Sequence, residues 1–277
     1  DLEGMKVVAA AAALWLLFAV VVFSTSGGSS SGEERHCRPE DLPDPLTLRA
    51  DQITVLISGY SEARLPLLRS LAVSYSSLPF VAAVLVLWGN PSTPSPALLD
   101  ALSLDTAAAP ISVHRHPTPS LNARFLPRRE IRTRAVAVCD DDVEIDQASL
   151  RLALAVWGAH PDRIVGFFAR SHDLDLSRRA WIYTVHPDRY SIVLTKFMVL
   201  AADHLRRYSC DGGEGMRAAR AVVEAETNCE DILMNFVVAM ATGRGPLLVG
   251  GRRVRDWGDV RNEDGAGKVE EGRRGEW

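Results

Sequence analysis

The stretch Ala135-Val136-Ala137-Val138-Cys139-Asp140-Asp141-Asp142 joins an apolar run to three consecutive carboxylates. A short uninterrupted apolar run reads as a strand buried on both faces of a sheet. Open α/β sheets place their ligand crevice outside the carboxyl ends of such strands, so the acids stand where a site is expected. Upstream, Ile53–Ile57 is a β-branched run stopped by Gly59. Leu65–Ser76 follows, with Leu65, Leu68, Ala72 and Tyr75 at helical spacing, and then Val81–Trp88, ended by Gly89, Asn90 and the prolines Pro91, Pro94 and Pro96. Strand, helix and strand alternate, which predicts a doubly wound α/β domain with helices on both faces of the sheet.

Downstream the pattern continues through Ile111–Val113, before the acidic strand, and then a helix from about Ser149 to Trp157. Two apolar runs follow, Arg163–Phe168 and Ile192–Leu200. Cys229–Thr242 is the last strong helix, with Ile232, Phe236 and Met240 on one face, Asn228 expected as N-cap and Gly243 as the stop. Beyond Val249 the composition turns to Arg, Gly, Asp and Glu, and a disordered tail over 251–277 is expected. No internal repeat is visible. The organisation read from these signals is a short tail (1–6), an anchor (7–23), a stem linker (24–50), one catalytic domain (51–250) and that tail.

A chain of 277 residues with 47% hydrophobic content can bury one sizeable core. Its net charge of −4 supplies no basic field, which argues against nucleic acid as a partner. Val7–Phe23 is an unbroken apolar run behind Lys6, spanning roughly 26 Å as a helix. It reads as a single-pass signal anchor suited to a thin early-secretory membrane, with a cleaved signal peptide as the rival reading. The residues before Met5 look like upstream reading frame. Ser24–Leu48 is rich in Ser, Gly, Pro and charge, the composition of a stem. In such a compartment Cys37, Cys210 and Cys229 are candidates for a disulfide, with connectivity open, while Cys139 reads as a buried small residue.

Three adjacent carboxylates repel one another unless a cation joins them. Side chains alternate along a strand, so at most two of the three share a ligand and the remainder meets sugar or ribose hydroxyls. Hard oxygen donors select Mg²⁺ or Mn²⁺, completed by diphosphate oxygens. The competing readings are a solvated acidic turn before a helix and a Ca²⁺ loop. The latter fails at Ile145, where an EF-hand needs Gly. Asn122 and Arg124 lie in a polar stretch before the acidic strand; Arg124 is a candidate phosphate ligand or a surface ion pair. Asn90 either touches the base or shapes its turn. Asp231, three residues after Asn228, is either a capping-box acid or a chemical group. His172 and His186 read as structural.

With those residues in place the chain resembles the exostosin-like glycosyltransferases of family 64. The resemblance rests on Ser120–Phe125, Cys139–Asp142, Pro161–Gly166, Tyr190–Leu194 and Asn228–Phe236, which run in family order across about 200 residues. Tyr60–Glu62, Leu87–Pro94, Trp181–Pro187 and Val254–Asp259 further resemble a plant branch that mannosylates glycosylinositol phosphorylceramides. The resemblance implies a single α/β domain of nucleotide-sugar-binding A-type fold, a Rossmann-like mixed sheet with helices on both faces, and retaining transfer of mannose from GDP-mannose to a sphingolipid head group with Mn²⁺ or Mg²⁺. It also implies a Golgi membrane location of type II orientation with the catalytic domain lumenal, and leaves a homodimer open. By position it assigns Asp140, Asp141, Arg124, Asn122 and Asn90 to the nucleotide sugar. Asp142, with Asp140, goes to the metal, and Asp231 to the reacting sugar carbon. An early nucleotide-contacting Arg of animal relatives has no aligned match; Arg64 stands nearby and takes that role here. Relatives continue past 257–259 into a segment with a phosphate-binding Arg and a Cys partner for the position of Cys229. The alternatives carried forward are a UDP-N-acetylhexosaminyl transferase and a weak or inactive carbohydrate-binding member.

Overall fold

The computed structural model describes residues 36–38, 42–96, 98, 102, 108–186 and 188–258. The expected anchor Val7–Phe23 lies outside them, and no helix among the described residues is long and apolar enough to cross a membrane. The strands are β1 (Arg49–Gly59), β2 (Val81–Trp88), β3 (Ile111–Arg115), β4 (Thr133–Asp140), β5 (Val143–Ile145), β6 (Val165–Gly166), β7 (Ala169–Asp175), β8 (Ala180–Thr184), β9 (Ile192–Val193), β10 (Phe197–Ala201), β11 (Leu247–Leu248) and β12 (Val254–Asp256). The helices are α1 (Leu65–Ser76), α2 (Gln147–Ala159), α3 (Ala202–Ser209), α4 (Gly213–Glu226) and α5 (Glu230–Thr242).

Seven strands form the main sheet in the order β11-β6-β10-β4-β1-β2-β3. The half from β4 to β3 is parallel, as the continuous apolar runs predict, whereas β10 lies antiparallel between β4 and β6. The sheet is therefore mixed, as the expected Rossmann-like mixed sheet with helices on both faces requires. Alternation along β1 divides two cores. Ile53, Val55 and Ile57 face a layer with α1 and α2, and Leu56 faces α3 and α5.

Four expectations are corrected. The run 192–200 breaks into β9 and β10 around Leu194–Lys196, because its two halves pair with different strands: β9 with β7, and β10 with β4. Arg163–Phe168 keeps only the two-residue strand β6 before the chain turns into β7. Asn228 does not cap α5: Cys229 holds the N-cap position in the left-handed region (φ 74°), and the Asn228 Oδ1 accepts from the Cys229 amide at 2.7 Å. The tail does not begin at 251. β12 pairs antiparallel with β5, Val254 opposite Ile145 and Asp256 opposite Val143, and returns the chain to the acidic turn. Cys37, in the expected stem, is bridged to Cys210 at the end of α3.

Candidate active site

β1 and β4 run parallel with Ser58 opposite Asp140, so the acidic triplet and the end of β1 share one rim. Val143 and Ile145 of β5 then hold the turn from behind. The Tyr75 hydroxyl donates to Val143 O at 3.1 Å and accepts from the Ile145 amide at 3.0 Å. On the other side Trp257 donates its amide to Asp142 O at 2.7 Å. The three acids are thus fixed by α1 and by the strap after β12.

Each carboxylate has a cationic neighbour. Arg64 Nη1 lies 2.9 Å from Asp141 Oδ1 and 2.9 Å from Asp142 Oδ2. Arg124 Nη1 lies 3.1 Å from Asp140 Oδ1 and 3.3 Å from Glu230 Oε1. Glu230 in turn accepts from the Thr195 hydroxyl at 2.9 Å, and Lys196 pairs with Asp256. Burial raises the Asp141 and Asp142 carboxyls above the ordinary range, with Arg64 pulling the other way. Burial lowers the Arg124 guanidinium, but the charges of Asp140 and Glu230 outweigh it and hold the group above its usual value.

Arg64, Arg124 and the three acids line a cavity of about 660 Å³ that also takes in Ser58, Tyr60, Trp88, His114 and His116, while Glu230, Thr195, Lys196, Asp256 and Asp231 lie outside its lining. That volume suits a ligand of nucleotide-sugar size. Three buried polar atoms of its lining residues, Ser58 Oγ, Trp88 Nε1 and Arg124 Nε, have no hydrogen-bond partner among the described residues.

The sequence-predicted residues divide. Arg64, Arg124, Asp140, Asp141 and Asp142 meet at the cavity. Asn122 does not: it is buried behind the wall, where its Nδ2 donates to Arg220 O at 3.0 Å and Glu224 Oε1 at 2.7 Å. Its Oδ1 accepts from the Tyr208 hydroxyl at 2.5 Å. With every amide atom engaged, it ties the Arg124 loop to α3 and α4. Asn90 also lies off the wall, donating to Tyr60 O at 3.2 Å and accepting from the Ser92 amide at 2.9 Å, so it shapes its turn. Asp231 opens α5 beside Glu230, its Oδ1 accepting from the Ile232 amide at 2.7 Å rather than reaching back to a cap. Burial first, then the Glu230 charge, push its carboxyl up to about 6. Sequence reasoning missed Ser58, His114 and His116, although each ends or follows a parallel strand, where the crevice rule points. Asp256 and Gly258, within the block Val254–Asp259 to which no site role was given, come beside the acidic turn by way of β12.

Among the described residues no three His, Cys, Asp or Glu side chains form a ready metal cage. The donors present nevertheless fit a hard divalent cation. Asp141 and Asp142 already converge on one cationic nitrogen of Arg64, and one or two carboxylates with diphosphate oxygens is the usual way Mg²⁺ is held.

The sequence profile of the Glycosyl transferase family 64 domain matches residues 53–274. The chain belongs to this family. It is 58% identical over 222 residues to the Glycosyltransferase family protein 64 C3 of Arabidopsis thaliana, covering 78% of this chain and 67% of that protein. It is 31% identical over 208 residues to Glucosamine inositolphosphorylceramide transferase 1 of the same plant, covering 74% of this chain and 26% of that protein. It is 36% identical over 190 residues to Exostosin-1 of Drosophila melanogaster, covering 63% of this chain and 24% of that one. The chain therefore spans about a quarter of the latter two relatives. A mixed α/β glycosyltransferase domain with an acid and arginine cluster on its cavity wall is what the sequence and the geometry share.

Proposed function

We propose that this family 64 domain is a retaining, metal-dependent transferase of A-type fold. In this reading it moves mannose from GDP-mannose to the head group of a glycosylinositol phosphorylceramide. The carrying observation is the cluster of Arg64, Arg124, Asp140, Asp141 and Asp142 on the wall of a 660 Å³ cavity. Donor choice rests on the resemblance of Leu87–Pro94, Trp181–Pro187 and Val254–Asp259 to the mannosylating plant branch.

Asp142, with Asp140, is the expected seat of Mn²⁺ or Mg²⁺, which when bound neutralises charge gathering on a departing diphosphate. Arg124 and Arg64 add fixed positive charge on the same side, with Arg124 held in place by Glu230 and Asp140. Asp231 is assigned by resemblance to the reacting sugar carbon, either as nucleophile or as the charge that stabilises an oxocarbenium-like centre. Its carboxyl near 6 is ionised at neutral pH, the form both roles need. The domain is carried by the Val7–Phe23 anchor in a Golgi membrane, lumenal, in type II orientation.

The second reading is a UDP-N-acetylhexosaminyl transferase, favoured by the relatives named for exostosin and for glucosamine transfer. Calorimetry with GDP-mannose, GDP and UDP, with and without Mn²⁺, separates the two. The expected result is Mn²⁺-dependent binding of GDP-mannose that Asp142→Ala abolishes. A preference for UDP overturns the donor, and undiminished binding by Asp142→Ala overturns the site.

A further inference from the structure

The β7–β8 hairpin leaves one side bare. Its register sets Leu174 opposite Trp181 and His172 opposite Tyr183, all on one face, with Ser171, Asp173, Asp175, Ile182 and Thr184 on the other. The second face is largely satisfied: Asp173 holds His186 at 2.7 Å and Arg189 at 2.7 Å, and Asp175 accepts the amides of Ser177 and Arg178. The first face lies open among the described residues, with Trp181 71% and the neighbouring Leu176 80% exposed. β9 adds a third strand beside β7, yet this small sheet keeps large apolar side chains outside, the mark of an interaction surface.

Two observations say what belongs there. The connection carries Arg178 and Arg179, both exposed, so the projecting end pairs apolar and aromatic side chains with adjacent cations. Trp, Tyr and Leu beside Arg is the composition of a segment that lies in a bilayer interface, and on the lumenal side the anionic head groups that meet the arginines are those of the inositolphosphorylceramide lipids themselves. The other end of the hairpin leads to the head of α5, because β7 pairs with β9 and Asn235 of α5 bonds both the amide and the carbonyl of Val193. The Asn235 Nδ2 also donates to Asp231 O at 2.8 Å; in keeping with this, burial first and then the Asp231 charge raise the pKa of the Tyr183 hydroxyl. From Tyr183 to the Arg178–Arg179 turn the strand measures roughly 15 Å, about the depth of a lipid head group of a few sugars.

We propose that the Leu174–Trp181–Tyr183 face of this hairpin docks on an anionic membrane surface and presents the head group of a lipid acceptor to Asp231. This rests on the glycolipid reading above and adds to it where the acceptor's membrane sits. Covering of the face by a second copy of the chain or by another protein is the competing outcome.

The test uses the full chain reconstituted in phosphatidylcholine vesicles containing phosphatidylserine and an inositolphosphorylceramide glycolipid. Donor hydrolysis to water and transfer to the embedded lipid are measured side by side. Arg178→Glu with Arg179→Glu, and separately Leu176→Ser with Trp181→Ser, are expected to lower kcat/KM for the embedded acceptor at least tenfold. Donor hydrolysis should stay within twofold. Lipids brominated in the acyl chain should quench a fluorescence component that Trp181→Phe removes. Wild-type transfer by both variants, or no quenching at Trp181, overturns the docking. So does a dimer, seen by sedimentation, that the Leu176→Ser, Trp181→Ser variant dissolves. If the wild-type protein neither binds nor hydrolyses a nucleotide sugar, the transferase reading falls instead, while quenching at Trp181 still decides the docking.

Discussion

Arg64 Nη1 reaches Asp141 Oδ1 at 2.9 Å across 77 residues of chain, and the acid it reaches is one of the few buried carboxylates of the domain. The same nitrogen touches Asp142, so a guanidinium occupies the space between the proposed metal ligand Asp142 and a carboxylate assigned to the nucleotide sugar. Arg64→Ala therefore acts in two directions. Without metal it removes a counter-ion and lowers stability by about 1 kcal/mol, a small figure because Arg64 is 45% exposed at its side chain. In a Mn²⁺ titration without nucleotide it raises the thermal shift, because the carboxylates no longer have a competitor. With GDP present the order reverses, since the diphosphate loses a cation. Equal metal responses from wild type and variant in the absence of nucleotide would remove Arg64 from this role.

Asp231 is strained electrostatically in its folded place. A carboxyl near 6 in the folded chain and about 3.9 unfolded binds its proton more tightly when folded. By linkage, stability is highest below about pH 4 for this group and is lost as pH rises from 4 through 6. The full loss is on the order of 3 kcal/mol at most. Asp231→Asn should therefore raise the unfolding free energy at pH 7.5 by roughly 1–3 kcal/mol, with the gain vanishing near pH 4. Transfer by the variant should fall at least a hundredfold. In the wild type the transfer rate should climb with pH through about 6. Denaturant unfolding of both proteins at three pH values checks the stability difference. A variant less stable than wild type at pH 7.5 contradicts it.

The acids, Arg124 and the parallel half of the sheet were legible because each depends on local pattern. An apolar run of strand length marks a buried strand, and the residues directly after it mark the rim. Asn122 misled because its partners Tyr208, Arg220 and Glu224 come from helices some 90 to 100 residues later in the chain. Those helices were themselves hidden: α3 reads Ala-Asp-His-Leu-Arg-Arg-Tyr-Ser, with few apolar positions, and α4 begins with two glycines around a glutamate. The β7–β8 connection carries no Gly or Pro, and Arg179 takes the left-handed conformation there (φ 51°), so the hairpin lacked a turn signal. Cys229 hid the true start of α5 in the same way.

Asn122→Ala tests that structural assignment. It strands the buried Tyr208 hydroxyl and takes a donor from the Glu224 carboxylate, which costs about 1–3 kcal/mol. Asn122→Asp should cost more, because a second carboxylate would face Glu224 at the place where Nδ2 now donates at 2.7 Å. In both variants that remain folded, KM for the donor should stay within twofold of wild type. A tenfold rise in KM with unchanged Tm would return Asn122 to the nucleotide.

Two glycines separate structure from chemistry. A Cβ at Gly166 would stand 2.2 Å from Val193 Cγ1 and 2.7 Å from the Phe197 carbonyl oxygen, and a backbone atom of a central strand has nowhere to go. Gly166→Ala should destabilise the domain by about 2 kcal/mol or more. A Cβ at Gly258 would stand 2.4 Å from Asp142 Oδ2, the mobile end of a side chain. That atom can swing away at little cost to folding, but it then leaves the direction it shares with Asp141 toward Arg64. Gly258→Ala should therefore hold its Tm within a few degrees while weakening Mn²⁺-dependent donor binding about tenfold, as read by calorimetry. Intact binding in a folded Gly258→Ala protein would mean that the orientation of Asp142 does not govern the metal. The strap after β12 would then be scaffold alone.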